Sequence, residues 1–277
     1  MLAAIFHKLR RFTVKKRGRL GIGFSIEKRK KFVIAVLLLT TGLFYTEFQF
    51  SRSGVFISLF LAVLTDLFLF WGLFQDIKDK FVYEIFILPF FYSLSFGLFC
   101  FLTPNFIYRI VLALVYAFGL YSLYLSQNIF VVSSTRTIAL LSGARIVSFV
   151  VTLVSFFLLT NVVFTLHIVI FPILLIISIY TYFLLYHSLW TYTLQKMTHP
   201  LALWVSVLTL CIVELTTMLW FWPTKAPIIS LFLTGFFYIV AGLSHIWFEK
   251  RLFKGVLWEY VWVGFVVIFI LIAFSFY

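Results

Sequence analysis

Residues 28–39 read Lys-Arg-Lys-Lys-Phe-Val-Ile-Ala-Val-Leu-Leu-Leu, four cations that give way at once to an apolar run continuing to Phe50. An apolar segment of that length with basic residues on one flank only has the form of a first membrane span whose charged end stays in the cytoplasm. Every later segment takes its direction from it.

The composition agrees. Of 277 residues, 64% are hydrophobic and 11% charged, whereas soluble domains run at about 45 to 50% apolar and about 25% charged. Too few polar side chains are present to coat a water-facing surface, so lipid must be the solvent for most of the chain. The net charge of +13 does not redirect this reading to nucleic acid: residues 1–31 hold 11 of the 22 Lys and Arg against Glu27 alone. Such a basic tail suits anionic lipid at the membrane surface. Leu2, Ile5, Phe6, Leu9 and Phe12 fall at helical spacing between cations, as in a helix lying on the leaflet. The expected organisation is a basic amphipathic cytoplasmic segment over 1–31 and one transmembrane helical domain over 32–277.

Cutting at charges and turn residues gives nine spans, at about 32–50, 55–75, 81–102, 106–126, 146–166, 168–190, 201–221, 227–247 and 258–277. The fold class is therefore an all-α polytopic bundle, amino terminus in the cytoplasm and carboxyl terminus outside. With that topology 19 Lys and Arg lie inside and only Arg52, Arg109 and Lys225 outside. Trp71, Trp190, Trp204, Trp247 and Trp258 mark the inner interface, and Trp220 and Trp222 the outer one. The location expected is a cell membrane, the cytoplasmic membrane of a bacterium. Residues 127–145 are too apolar for an ordinary loop and suggest a short interfacial or re-entrant segment; the plainer alternative is an amphipathic elbow anchored by Arg136 and Arg145.

Polar residues within the spans carry the functional expectations. Asp66 and Glu214 lie about 16 Å and about 10 Å below the outer surface at 1.5 Å per residue, near enough in depth to share a polar path with Thr65, Thr216 and Thr217. Intramembrane carboxyls usually face the bundle interior or a water-filled route. The alternative is a protonated carboxyl that holds two helices together by hydrogen bonding. Glu47 and Arg109, of opposite charge and equal depth, are expected to form a structural ion pair. Asn128, Arg136 and Arg145, with Ser133, Ser134, Thr135 and Thr137, are candidates for contacts with a phosphate or lipid head group. Ser93 with Gly97, and Gly235 with Gly242, offer small-residue seams for close helix packing. Glu84 reads as part of a solvated boundary cluster with Asp76, Lys78, Asp79 and Lys80, and His187, His199 and His245 as interfacial histidines.

No catalytic motif, no cofactor site and no metal-ligand spacing is present: there is no Gly-x-Ser-x-Gly elbow, His-Glu-x-x-His pair or phosphate loop. Three classes of function remain. A carrier or channel for a small solute or ion, using Asp66 and Glu214, leads. A non-catalytic scaffold or assembly subunit follows, and then a membrane enzyme acting on a lipid-linked substrate near Arg136, Arg145 and His199. Membrane lipids, with anionic lipid at the basic segment, and protein partners in the membrane are the expected associates; nucleic acid is not.

Overall fold

The computed structural model describes residues 28–49, 54–77, 82–103, 105–133, 140–166, 169–193, 199–250 and 253–275. Residues 1–27 of the basic segment lie outside them, as do Arg52, Lys78, Asp79, Lys80 and Arg136. Among the described residues the structure is wholly helical: α1 Lys28–Gln49, α2 Gly54–Ile77, α3 Glu84–Leu102, α4 Phe106–Ser133, α5 Leu141–Thr165, α6 Ile170–Thr193, α7 His199–Trp220, α8 Ala226–Phe248 and α9 Lys254–Ser275. The eight from α2 onward are long and apolar enough to cross a bilayer. The helix centres fall where the sequence places the spans.

The opening stretch seats itself through its first apolar residue. Phe32 is fully buried, its ring against Gly72 of α2 and 5.6 Å from the ring of Tyr124 of α4. One residue earlier, the Lys31 ammonium lies 5.0 Å above the Trp71 ring, an attraction to the negative face of the indole. A basic cluster followed by Phe thus fixes both the end of α1 and its rotation.

The helices form two groups joined by a central post. α1 to α4 pack among themselves, with α2 against α3 as the most extensive pair. α5 touches α3 and α4 on one side and α6 and α8 on the other. Its inner stripe carries Ala144, Ser148, Thr152, Ser155 and Thr160. The Thr152, Ser155 and Thr160 hydroxyls each donate to the carbonyl four residues back at 2.7–2.8 Å, so these side chains satisfy themselves and leave a slim surface for neighbours. α9 is peripheral: Leu271 is its one buried residue among those described, and it leans on α8.

Glycines set the close approaches. A Cβ at Gly97 would lie 2.9 Å from the Ser58 side chain, so α2 and α3 meet nearly backbone to backbone there. Gly235 and Gly242 admit Val267 and Tyr260 of α9 in the same way.

The segment 127–145 corrects one expectation. Residues 127–133 are the last two turns of α4, and α5 begins at Leu141; residues 134–139 lie outside those described. The apolar character that suggested a re-entrant element belongs to the helix's own packing. Gln127, Phe130 and Val131 continue the buried stripe of Tyr116, Leu120, Leu123 and Tyr124.

Candidate functional site

Hydroxyl groups converge halfway along α2, α3 and α4. Thr65 Oγ1 and Ser93 Oγ are 2.7 Å apart, and Ser93 Oγ lies 2.9 Å from the Tyr116 hydroxyl. Tyr92, its ring stacked on Tyr116 at 5.5 Å, donates to the Tyr116 carbonyl at 3.1 Å. Tyr124 donates to the Thr65 carbonyl at 2.8 Å. Asp66 is the next residue on α2. Its Oδ1 is buried and has no hydrogen-bond partner.

About one turn beyond Tyr124 on α4 a second group gathers. Gln127 is fully buried, its amide nitrogen 3.4 Å from His187 Nε2 of α6. Turning the amide over exchanges which amide atom meets the imidazole, but one amide atom and the far ring nitrogen stay unmatched. As placed, Gln127 Oε1, Asn128 Oδ1, His187 Nδ1 and Thr181 Oγ1 are all buried without partners. Beside them, the Tyr186 hydroxyl donates to Glu84 Oε1 at 3.1 Å and lies 3.2 Å from that of Tyr83.

At the end of α6 Arg145 closes the helix. Its Nε donates to the Thr191 carbonyl at 3.0 Å and its Nη2 to the Tyr192 carbonyl at 3.2 Å. The guanidinium lies 4.8 Å above the Tyr192 ring, with Nη1 3.5 Å from Glu249. The His245 ring also stacks on Tyr192, at 4.0 Å, and its Nε2 lies 2.9 Å from Ser188 Oγ. Cation, aromatic ring and last-turn carbonyls are natural companions at a helix carboxyl end.

The sequence candidates are therefore distributed as follows. Asp66 joins Thr65 in the α2–α3–α4 cluster. Glu214 does not reach it: it is exposed on α7, which packs chiefly on α6 and α8, whereas α2 packs on α1, α3 and α4. Depth along a helix was legible, rotation about it was not. Thr216 and Thr217 each donate back to their own helix, to the Ile212 and Val213 carbonyls. Arg109 donates to the Thr103 carbonyl at 2.8 Å; the Glu47 side chain, and with it the expected ion pair, lies outside the described residues. Of the head-group candidates, Arg145 is engaged at the end of α6, Asn128 faces inward, and Arg136 lies outside the described residues.

Two expectations are corrected. Glu84 is 2% exposed, because Tyr186 approaches from α6, a partner 102 residues away that the neighbouring charges concealed. His187 and His245 are buried at 0% and 4% exposure, each hydrogen-bonded inside the bundle instead of lying at its edge; the His199 side chain is not described. Trp190 is buried as well, against Phe130 and His187. Gln127 was missed as a site residue. A polar residue on the 3.6-spaced stripe of Tyr116, Leu120 and Tyr124 was the available signal.

Among the described residues, an all-helical bundle with eight helices suited to crossing a bilayer and a largely apolar exterior has the build of a multi-pass membrane protein. The chain belongs to the family described as protein of unknown function (DUF5656), whose model matches residues 33–274. No curated protein and no solved structure matches it.

Proposed function

We propose that the protein is a carrier or channel for protons or a small cation, with its polar path running from Asp66 along α4 to Gln127, Asn128 and His187. The observation that supports this reading is the series of unmatched buried atoms, Asp66 Oδ1, Gln127 Oε1, Asn128 Oδ1 and His187 Nδ1. Each such group costs about 1–3 kcal/mol when left unsatisfied, and buried groups normally find partners. Gln127 and Asn128 are adjacent on α4 and His187 meets Gln127 from α6, so the unmatched atoms of these three residues lie together and suit a route whose occupant supplies the missing bonds. The hydroxyls of Thr65, Ser93, Tyr116 and Tyr124 extend the route past mid-depth.

The topology proposed with it is nine spans in a bacterial cytoplasmic membrane, amino terminus inside, so that Gln127 and His187 face the cytoplasmic half. Lipid-linked chemistry has less support, since Arg145 is committed to Thr191, Tyr192 and Glu249.

The test is flux. The full chain in liposomes holding a pH-sensitive dye should dissipate an imposed proton gradient, or a sodium or potassium gradient, faster than protein-free liposomes. Asp66→Asn should slow this at least tenfold with its helical circular dichroism intact. Flux equal to that of empty liposomes for all three ions, or unchanged flux in Asp66→Asn, overturns the reading and leaves a scaffold role as its successor.

A further inference from the structure

The outer surface of α7 is a straight stripe at helical spacing, Leu203, Val207, Leu210, Glu214 and Met218, continued by Phe221 just past its end, all exposed. The opposite face, with Leu201, Val205, Ile212, Thr216 and Leu219, is buried against the bundle. Five members of the outer stripe are what lipid expects. Glu214 is not. It lies six residues before the end of α7 at Trp220, about 9 Å along the axis, well inside an apolar layer about 30 Å thick.

The remaining described carboxyls at comparable positions have an explanation. Asp66 turns inward, Glu84 receives the Tyr186 hydroxyl, Glu249 faces Arg145, and Glu259 sits beside interfacial Trp258. Glu214 has no hydrogen bond or ion pair with any described residue, and its side chain is too short to climb two turns to the head groups. A carboxyl held at that depth usually has a partner that justifies it.

We propose that this face of α7 docks a transmembrane helix of another protein, one carrying a Lys or Arg within its apolar run, which pairs with Glu214. Charge decides between this and a second copy of the chain. A second copy inserted in the same orientation brings its own Glu214 to the same depth, acid against acid. The described cations all cluster at helix ends: Lys28 to Lys31, Arg109, Arg145, Lys225, Lys250 and Lys254. Among the described residues none lies at the level of Glu214, which favours a counter-charge from a different chain. The stripe supplies apolar contact along both sides of the pair, where interhelical packing and hydrogen bonding hold helices together in lipid.

The experiment uses the full chain, donor-labelled in liposomes, with acceptor-labelled leucine-rich helical peptides. One peptide bears a single Lys at the depth of Glu214, a second bears Leu there and a third bears Glu. Energy transfer to the Lys peptide should saturate at a tenfold lower peptide-to-lipid ratio than to the Leu peptide. Glu214→Gln should abolish that difference, and Glu214→Lys should transfer the preference to the Glu peptide, which a folding defect cannot do. Equal transfer to Lys and Leu peptides overturns the proposal, since the carboxyl then contributes nothing to docking. Glu214-dependent transfer between two differently labelled copies of the chain overturns it in favour of self-association.

Discussion

The Tyr124 hydroxyl crosses from α4 to the backbone carbonyl of Thr65 at 2.8 Å, one residue before Asp66. That bond ties the helix carrying the unmatched carboxyl to the helix carrying Gln127 and Asn128, so the two polar groups keep a fixed spacing. Tyr124→Phe removes the donor while keeping the ring that packs on Phe32. The Thr65 carbonyl retains its helical partner, so the cost should be about 1 kcal/mol, read as a small drop in thermal midpoint in detergent. Under the proposed function, flux should fall further than stability does. A variant with wild-type flux would separate Tyr124 from the path.

Gly119 lies directly under the Tyr92 hydroxyl, where a Cβ would collide with it. The ring is buried and stacked on Tyr116, so it has little freedom to withdraw. Gly119→Ala should destabilise the bundle by about 1–3 kcal/mol, the usual cost of overpacking. Adding Tyr92→Phe, which deletes the colliding oxygen, should recover part of that loss. A double-mutant cycle with no coupling would refute the contact.

Arg145 should matter more than its ion pair. Its side chain is 19% exposed while that of Glu249 is 35% exposed, and a half-solvated pair contributes at most about 1 kcal/mol. The two bonds to helix-end carbonyls and the stack on Tyr192 carry more. Arg145→Ala is expected to cost about 2 kcal/mol or above, Glu249→Gln clearly less. Lys at 145 should fall between, since an ammonium lacks the planar fork. Equal losses in the Ala and Gln variants would assign the energy to the ion pair instead.

Reporter fusions give the topology its sharpest check. Fusions after Lys225 and after Lys250 flank α8 alone, so they should report opposite sides of the membrane, with Lys250 in the cytoplasm. Both on one side would remove α8 from the set of spans and invert everything that follows it.

Helix positions were legible because a bilayer demands about 20 apolar residues per crossing, and breaks such as Pro223-Thr224-Lys225 stand out between them. The rotation of each helix was not. Lipid-facing Leu210 and core-facing Ile212 are equally apolar, so the polar stripe that orients a helix in water has no counterpart here. That is why Asp66 and Glu214, alike in sequence context, ended on opposite faces. Partners such as His187 for Gln127, 60 residues apart, follow from packing and leave no local mark. Where small residues did interrupt an apolar face, as Ser93 and Gly97 do, a seam for close packing was readable, though not that Ser58 of α2 would fill it.

The lean of α9 on α8 bears on how the molecule is made. Helices α1 to α8 enclose their shared interior without it, and chains fold from the amino end as they emerge. The 22-residue α9 therefore adds to an interior packed by the other helices, with Gly235 and Gly242 as the socket on α8 that receives Val267 and Tyr260. Losing α9 should therefore remove an outer buttress and leave the interior packing of α1 to α8 in place.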